Sequence, residues 1–198
     1  MSDDLRSPGA EVGDEELVRR AQAGEDGAMR ELHRRYYDGM FVLALRWLRD
    51  ETRARDAVQA VFADAFGAIR RFRGRSKFST WLFKLARNRL IKQVQAAERE
   101  PGWSRRVDAE AAGEAGLLVS ESAERVFGER RAFLELLGLI QQLEPEQASA
   151  LTLRFVVGLS LAETAQVLGV SEAAAGMRIT RGRERLRGLL LRRQDGEA

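Results

Sequence analysis

Cysteine is absent from the 198 residues, histidine occurs once and proline three times. Without a thiol there is no disulfide framework, no cysteine-ligated zinc and no cysteine nucleophile. A single histidine removes multi-histidine metal sites as well. No stretch approaches the ~20 apolar residues that a membrane span requires. Residues 1–14 are acidic and lack a basic segment followed by an apolar one, so no export signal is expected and the chain reads as cytoplasmic.

What is present is charge, 32% of all residues, and it is strongly segregated behind a net value of only +3. Residues 1–33 carry four basic and nine acidic residues, and residues 34–106 carry eighteen and seven. In residues 107–147 the balance reverses to three basic against nine acidic, and residues 148–198 return to eight against five. Two basic blocks flanking an acidic one suggest two polyanion-facing surfaces joined by a segment that does not share the polyanion.

Hydrophobic periodicity is helical nearly throughout, and no alternating β-branched run bounded by turns interrupts it; the expected fold is all-α. A short helix is predicted over Glu15–Ala23 and a longer one over Glu25–Leu48, with Met29, Leu32, Tyr36, Met40, Leu43 and Trp47 at three-and-four spacing. A third is expected from Thr52 to Phe72, and a fourth from Phe78 to Glu98 after a turn at Gly74–Lys77. Periodicity fails from Glu100 to Ser120, a Pro- and Gly-opened, largely acidic stretch that marks a linker; it resumes from Ala123 to Leu143, and Pro145 opens a further helix. The expected organisation is a disordered terminus (1–13), a four-helix module (14–99), a flexible linker (100–121), a second helical module (122–192) and a disordered tail (193–198). Fully extended, the linker's ~20 residues reach about 70 Å.

Three segments carry chemistry or contact. Residues 159–188 have the layout of a helix-turn-helix, with Ser160 as N-cap, Glu163 three residues on to complete a capping box, Gly169 at the left-handed turn and Ser171 capping the second helix. The inward stripe of that second helix is expected at Ala175, Ile179, Leu186 and Leu190, which leaves Met177, Arg178, Arg181, Arg185 and Arg192 outside, as a major-groove reader requires. A plain helical hairpin with a solvated basic face is the alternative. From Ala65 to Ala97 there is no acidic residue, while Arg70, Arg71, Arg73, Arg75, Lys77, Lys84, Arg87, Arg89 and Lys92 are interleaved with Phe72, Phe78, Trp81 and Phe83. Basic groups track phosphates and aromatic faces stack on unpaired bases, a combination suited to single-stranded or melting nucleic acid. Equally, the aromatics can be core and the basic groups solvated. The helix Asp56–Phe66 is apolar on more than one side and has few charges, which fits either a partner surface or simple burial.

These three segments in this order resemble an extracytoplasmic-function (group IV) sigma factor of the sigma-70 family, most specifically through FRGRSKFSTWLFKLARNRLIK at 72–92. The resemblance spans the two modules and not the termini or the linker. It implies that Asp56, Gln59 and Phe62 face core RNA polymerase, through its beta-prime and beta subunits. It assigns Arg75, Ser76, Lys77, Phe78, Thr80, Trp81, Lys84, Arg87, Asn88, Arg89 and Lys92 to the −10 element and its melting, with the Gly74–Thr80 loop holding a flipped base and Asn88 contacting it. Ser171, Glu172, Gly176, Met177, Arg178, Arg181 and Arg185 fall to the −35 element. Where the family carries an acidic residue after the Val-Gln pair this chain has Ala60, and the front of its recognition helix is Ala173, Ala174, Ala175 and Gly176.

The implied function is promoter recognition and opening as a subunit of RNA polymerase, with promoter DNA and an anti-sigma factor as further partners and no membrane insertion. No small-molecule substrate, cofactor, metal or catalytic residue is implied. The competing reading is a stand-alone helix-turn-helix regulator whose first module senses or dimerises. An enzyme fits worst: His33 lies amid Arg34, Arg35 and Tyr36 without a visible triad, and Gly74 is followed by Arg75, Ser76 and Lys77 rather than by a phosphate-loop Gly-Lys-Ser/Thr.

Overall fold

The computed structural model describes residues 12–97, 99 and 138–196, with side chains as far as Arg192. Every regular element among them is helical, in agreement with the period of the sequence. The linker at 100–121, residues 1–11 and the expected helix up to residue 137 lie outside the described residues. The last helix runs on to Gly196, so the tail expected from 193 is largely helical.

The first helix, α1 (Asp14–Gln22), opens with Asp14, Glu15 and Glu16 and closes with Arg19 and Arg20, the charge order that its dipole favours. Asp14 also accepts hydrogen bonds from Tyr36 and Arg35 of α2 (Asp26–Leu48), which pins the two helices together. Burial, reinforced by the Asp14 carboxylate, pushes the Tyr36 phenol pKa up. Arg49 turns the chain in the left-handed region (φ 51°), and Asp50 then caps α3 (Glu51–Ala68) by accepting from the Arg53 N–H at 2.8 Å. The α geometry ends at Ala68, short of the expected Phe72, and tightens into a 3-10 turn at Ile69–Arg71. Gln22 fixes this exit by donating to the carbonyls of Ile69 (3.0 Å) and Phe72 (2.9 Å). Beyond the loop, α4 (Phe78–Ala97) buries Leu82, Phe83, Ala86 and Leu90 to 1% exposure or less against α2 and α3.

In the second half residues 138–140 are helical, and α5 (Pro145–Leu151) begins with its proline in the first turn. A π-turn follows at Thr152–Val156, then α6 (Leu161–Leu168) and α7 (Glu172–Gly196). Ser160 and Glu163 form the expected capping box, and Gly169 takes φ 65° at the turn, where an L side chain would be strained.

The two halves are not separate bodies. Leu153, Leu159, Val167 and Leu168 join the apolar core of α1–α4, and Val42 of α2 packs with Ile140, Leu143, Ala148 and Leu151. The cause lies in α2: residues 39–46 are all buried, so the helix needs neighbours on every side and the second module supplies those that α1, α3 and α4 do not.

Candidate nucleic-acid interface

The acid-free run folds into one surface. Phe78 begins α4 inside an aromatic nest, 5.9 Å from the Phe72 ring and 5.6 Å from that of Trp81, while Phe72 and Trp81 lie 5.0 Å apart. The nest orients the preceding loop, in which Arg73, Gly74, Arg75 and Lys77 are exposed. Between this loop and α1 opens a cleft of about 900 Å³, walled by Asp14, Glu15, Arg19, Phe72, Ser76 and Phe78 among others. The volume exceeds what a single base and its sugar fill, so the cleft admits one without selecting for its size.

One turn and more along α4, Lys84 and Arg87 are half-buried, and Asn88 and Lys92 are exposed. Arg89 is bound to Asp64 of α3, which diverts part of its charge. Phe78 (3% exposed) and Thr80 (1%) are buried, which corrects their expected place on the DNA surface; Thr80 lies inside the protein, and Phe78 supports the loop from below and shows only an edge to the cleft. Trp81 is partly buried in the nest, with some of its ring at the surface.

On α3, Asp56 and Gln59 are exposed and Ala60 is half-buried, whereas Phe62 is 2% exposed. Phe62 packs 4.3 Å from the His33 ring and 5.7 Å from that of Phe66, which corrects its expected place on the partner surface. Burial lowers the His33 pKa.

In the helix-turn-helix, Ser171 Oγ accepts from the Ala174 N–H at 3.2 Å and starts α7. Glu172, Met177 (53% exposed), Arg181 and Arg185 stand outward, and Gly176 and Arg178 are half-buried. Arg183 and Arg187 are exposed too, which extends the basic face beyond the residues picked out from the sequence; an arginine at nearly every other position from 181 to 187 was the available signal. The buried stripe runs through Ala175, Ile179, Leu186 and Leu189, and not Leu190, which is 43% exposed.

Several contacts had no counterpart in the sequence pattern. Lys77 forms an ion pair with Glu163 of α6 (3.1 Å), and Lys84 donates to Gln166 Oε1 (3.4 Å). The Glu163 carboxyl is held below its ordinary range, first by the Ser160 N–H and then by Lys77. Arg46, 4% exposed, donates to the Leu143 carbonyl, and desolvation lowers its pKa.

Both modules have counterparts among known proteins. A family model described as Sigma-70 region 2 matches residues 32–100, and one described as Sigma-70, region 4 matches residues 133–186. The RNA polymerase sigma-H factor of Pseudomonas aeruginosa is 35% identical over 175 residues, covering 86% of this chain and 90% of that protein. The ECF RNA polymerase sigma factor SigW of Bacillus subtilis is 31% identical over 177 residues, covering 86% and 92% respectively. Among solved structures, CnrH in complex with the cytosolic domain of CnrY superposes with a TM-score of 0.59 at 25% identity, over 89% of this chain and 96% of that one.

Proposed function

The chain belongs to the sigma-70 family of RNA polymerase sigma factors, in its extracytoplasmic-function group, and from that premise we propose how its surfaces divide the work of initiation. Its function is that of the family: it binds core RNA polymerase and directs it to promoter DNA, which sets aside the stand-alone regulator. Sigma factors are non-enzymatic initiation factors, and we infer that this chain carries no bond chemistry of its own. Among the described residues no helix is long and apolar enough to cross a membrane; a cytoplasmic place beside the polymerase is part of the same reading.

In this division, residues 14–99 form the module that holds polymerase and the −10 element, and residues 122–192 the module for the −35 element. Asp56 and Gln59 meet the polymerase from the exposed edge of α3. Arg75, Lys77, Lys84, Arg87 and Lys92 hold the phosphates of the −10 strands, Ser76 lines the cleft that receives an unstacked base, and Asn88 reads a base edge. Amide groups donate and accept, so they discriminate bases, whereas a cation is satisfied by any phosphate. Trp81 stands at the edge of the melted region, while Phe78 and Thr80 position the loop from within. At the −35 element Arg178, Arg181 and Arg185 supply charge, and the small residues before Met177 leave little for direct base readout. An anti-sigma factor is a further proposed partner; the similar sigma factor RpoE of Bartonella quintana was solved in complex with the anti-sigma factor NepR.

The observation that carries this reading is that an acid-free helix presents Asn88 and a row of cations on one side and is seated in the core by the other. The test is promoter-specific run-off with purified core polymerase on duplex and on pre-melted templates. Trp81→Ala should fail on duplex and recover most of its activity on the pre-melted template. Equal defects on both templates, with a lowered thermal melt, would assign Trp81 to packing alone. In a pull-down with core polymerase, replacing Asp56 and Gln59 by alanine should weaken capture while leaving helicity intact.

A further inference from the structure

The recognition helix α7 has an inward stripe, an outward crest and two flanks, and their chemistry differs. Ala175 is 0% exposed, Ile179 packs on the core, and a Cβ on Gly182 would lie 3.0 Å from Leu151, so these three turn inward. At about 100° per residue, Met177 stands about 200° round from Ala175, on the side away from the body. Ala173 and Thr180 share that outward crest, and all three are exposed. The cations lie beside it: Arg181 and Arg185 on one flank, Arg183 and Arg187 on the other, each of them exposed. Glu184 takes the crest one turn beyond Thr180 and ends its uncharged run.

A helix of this cross-section fits the major groove as a wedge. Its flanks meet the phosphate walls, and its crest meets the base edges on the floor. At the front of that crest neither Ala173 nor Met177 can donate a hydrogen bond, and a thioether accepts only weakly. The floor offers polar groups at every base pair and a single apolar one, the C5 methyl of thymine. Seating the Met177 side chain on the amine of cytosine or the carbonyl of guanine leaves that group dehydrated and unpaired. Seating it on the methyl withdraws apolar surface from water on both sides.

The side chain is free to make that contact. Met177 is 53% exposed, and its neighbour Gly176 has no Cβ and nothing within 4 Å of where one would stand, so no adjacent side chain competes for the same stretch of groove. Methionine is unbranched and adapts its shape to what it covers. We propose that Met177 selects thymine at one position of the −35 element through contact with its C5 methyl. This inference rests on the reading of α7 as the −35 helix and adds to it the chemical group that is read.

Deoxyuridine in place of thymine removes the methyl and leaves every hydrogen-bonding group of the base pair unchanged. Holoenzyme assembled from core polymerase and the full chain first retains duplexes from a library randomised across the −35 element, in which an A·T pair should be enriched at one position. Each thymine of a retained duplex is then replaced in turn. At that position deoxyuridine should weaken binding about fourfold, the effect of taking one methyl group out of a buried contact. Met177→Ala should bind the thymine and deoxyuridine duplexes equally, and Met177→Leu, which keeps an apolar contact, should retain the difference. With cytosine at the same position, 5-methylcytosine should improve binding by the parent about fourfold and by Met177→Ala not at all. Position 177 is exposed, so both variants should fold, which a circular-dichroism melt checks.

A retained element without a preferred A·T pair, deoxyuridine without effect at every position, or an equal effect in the parent and in Met177→Ala would each overturn the inference. Arg181→Ala in holoenzyme separates the two levels of failure. If it weakens promoter binding and lowers the salt dependence while removal of the methyl is silent, the inference alone falls. If it leaves promoter binding untouched, the −35 assignment of α7 falls first and takes the inference with it.

Discussion

The helices α4 and α7 are both proposed to lie on DNA, yet they are built differently. One side of α4 is sealed in the core, with Leu82, Phe83, Ala86 and Leu90 at 1% exposure or less, and its free side carries an amide among cations. By contrast, α7 is exposed over much of its length, opens on alanines and a glycine, and offers arginine almost exclusively. A helix that must hold a base out of the stack needs a rigid seat, because a flexible one would forfeit the orientation that makes an amide selective. A helix that tracks phosphates can tolerate more play. Sequence selectivity is therefore expected to reside mainly in α4, and general affinity in α7.

The strongest test of that contrast is mechanical. Phe83→Ala should cost about 3–5 kcal/mol in chemical denaturation, as for a fully buried phenylalanine, whereas Leu190→Ala on the exposed flank of α7 should stay within about 0.5 kcal/mol. Comparable losses would erase the distinction between a seated and a free helix. Next in size, Asn88→Ala should remove about 1–3 kcal/mol of discrimination at one −10 position and leave the salt dependence of promoter binding nearly unchanged; uniform loss over all −10 substitutions would place the reader elsewhere. On α7, Gly176→Ala should add about 1 kcal/mol of helix stability with no loss of −35 binding, since a Cβ there meets open space. For the cations, Lys84→Ala and Arg181→Ala should each lower the slope of log affinity against log salt by about one unit, without changing base preference.

The smallest effect concerns pH. Burial keeps His33 below its ordinary value of 6.5, so the folded chain favours the neutral ring. As pH falls through 6.5 the unfolded chain takes up the proton first, and stability that is fully present above that value is progressively lost below it. His33→Gln should abolish that part of the acid sensitivity, read as the difference in thermal midpoint between about pH 7.5 and about pH 5.5.

Local chemistry was legible in the sequence wherever it is settled by neighbours along the chain. The capping box of Ser160 and Glu163, the left-handed Gly169, the proline that opens α5 and the bounds of α2 and α4 follow from side-chain hydrogen bonding and helical period alone. Phase was harder to read. A stripe through Ala175 and Ile179 continues to Leu189 only if Gly182 also lies on the buried face, where it meets Leu151, and a glycine carries no hydrophobic signal to mark the register. Phe62, Phe78 and Thr80 show the same limit from the other side, for a residue type that suits a partner surface suits a core equally well.

The docking of the two modules was the largest omission, although a trace of it was available. Residues 39–45 of α2 contain no charged side chain on any face, and Arg46 follows directly, so a second apolar neighbour was required. Which segment supplies it depends on contacts about a hundred residues away, and periodicity is blind to that distance.

The π-turn at Thr152–Val156 has a consequence for how such a chain can change over generations. There the Val157 N–H bonds to the Thr152 carbonyl, five residues back, at 3.0 Å, so the turn holds one residue more than an ordinary helix would. Deleting a single residue from this span restores regular helical spacing but rotates the chain beyond it by about 100°. Val157 would swing away from Gly39 while every side chain of α7 proposed to face DNA kept its identity. Lineages that shorten this turn should then carry larger residues at position 39, a pairing that can be sought wherever related chains differ in length at this point.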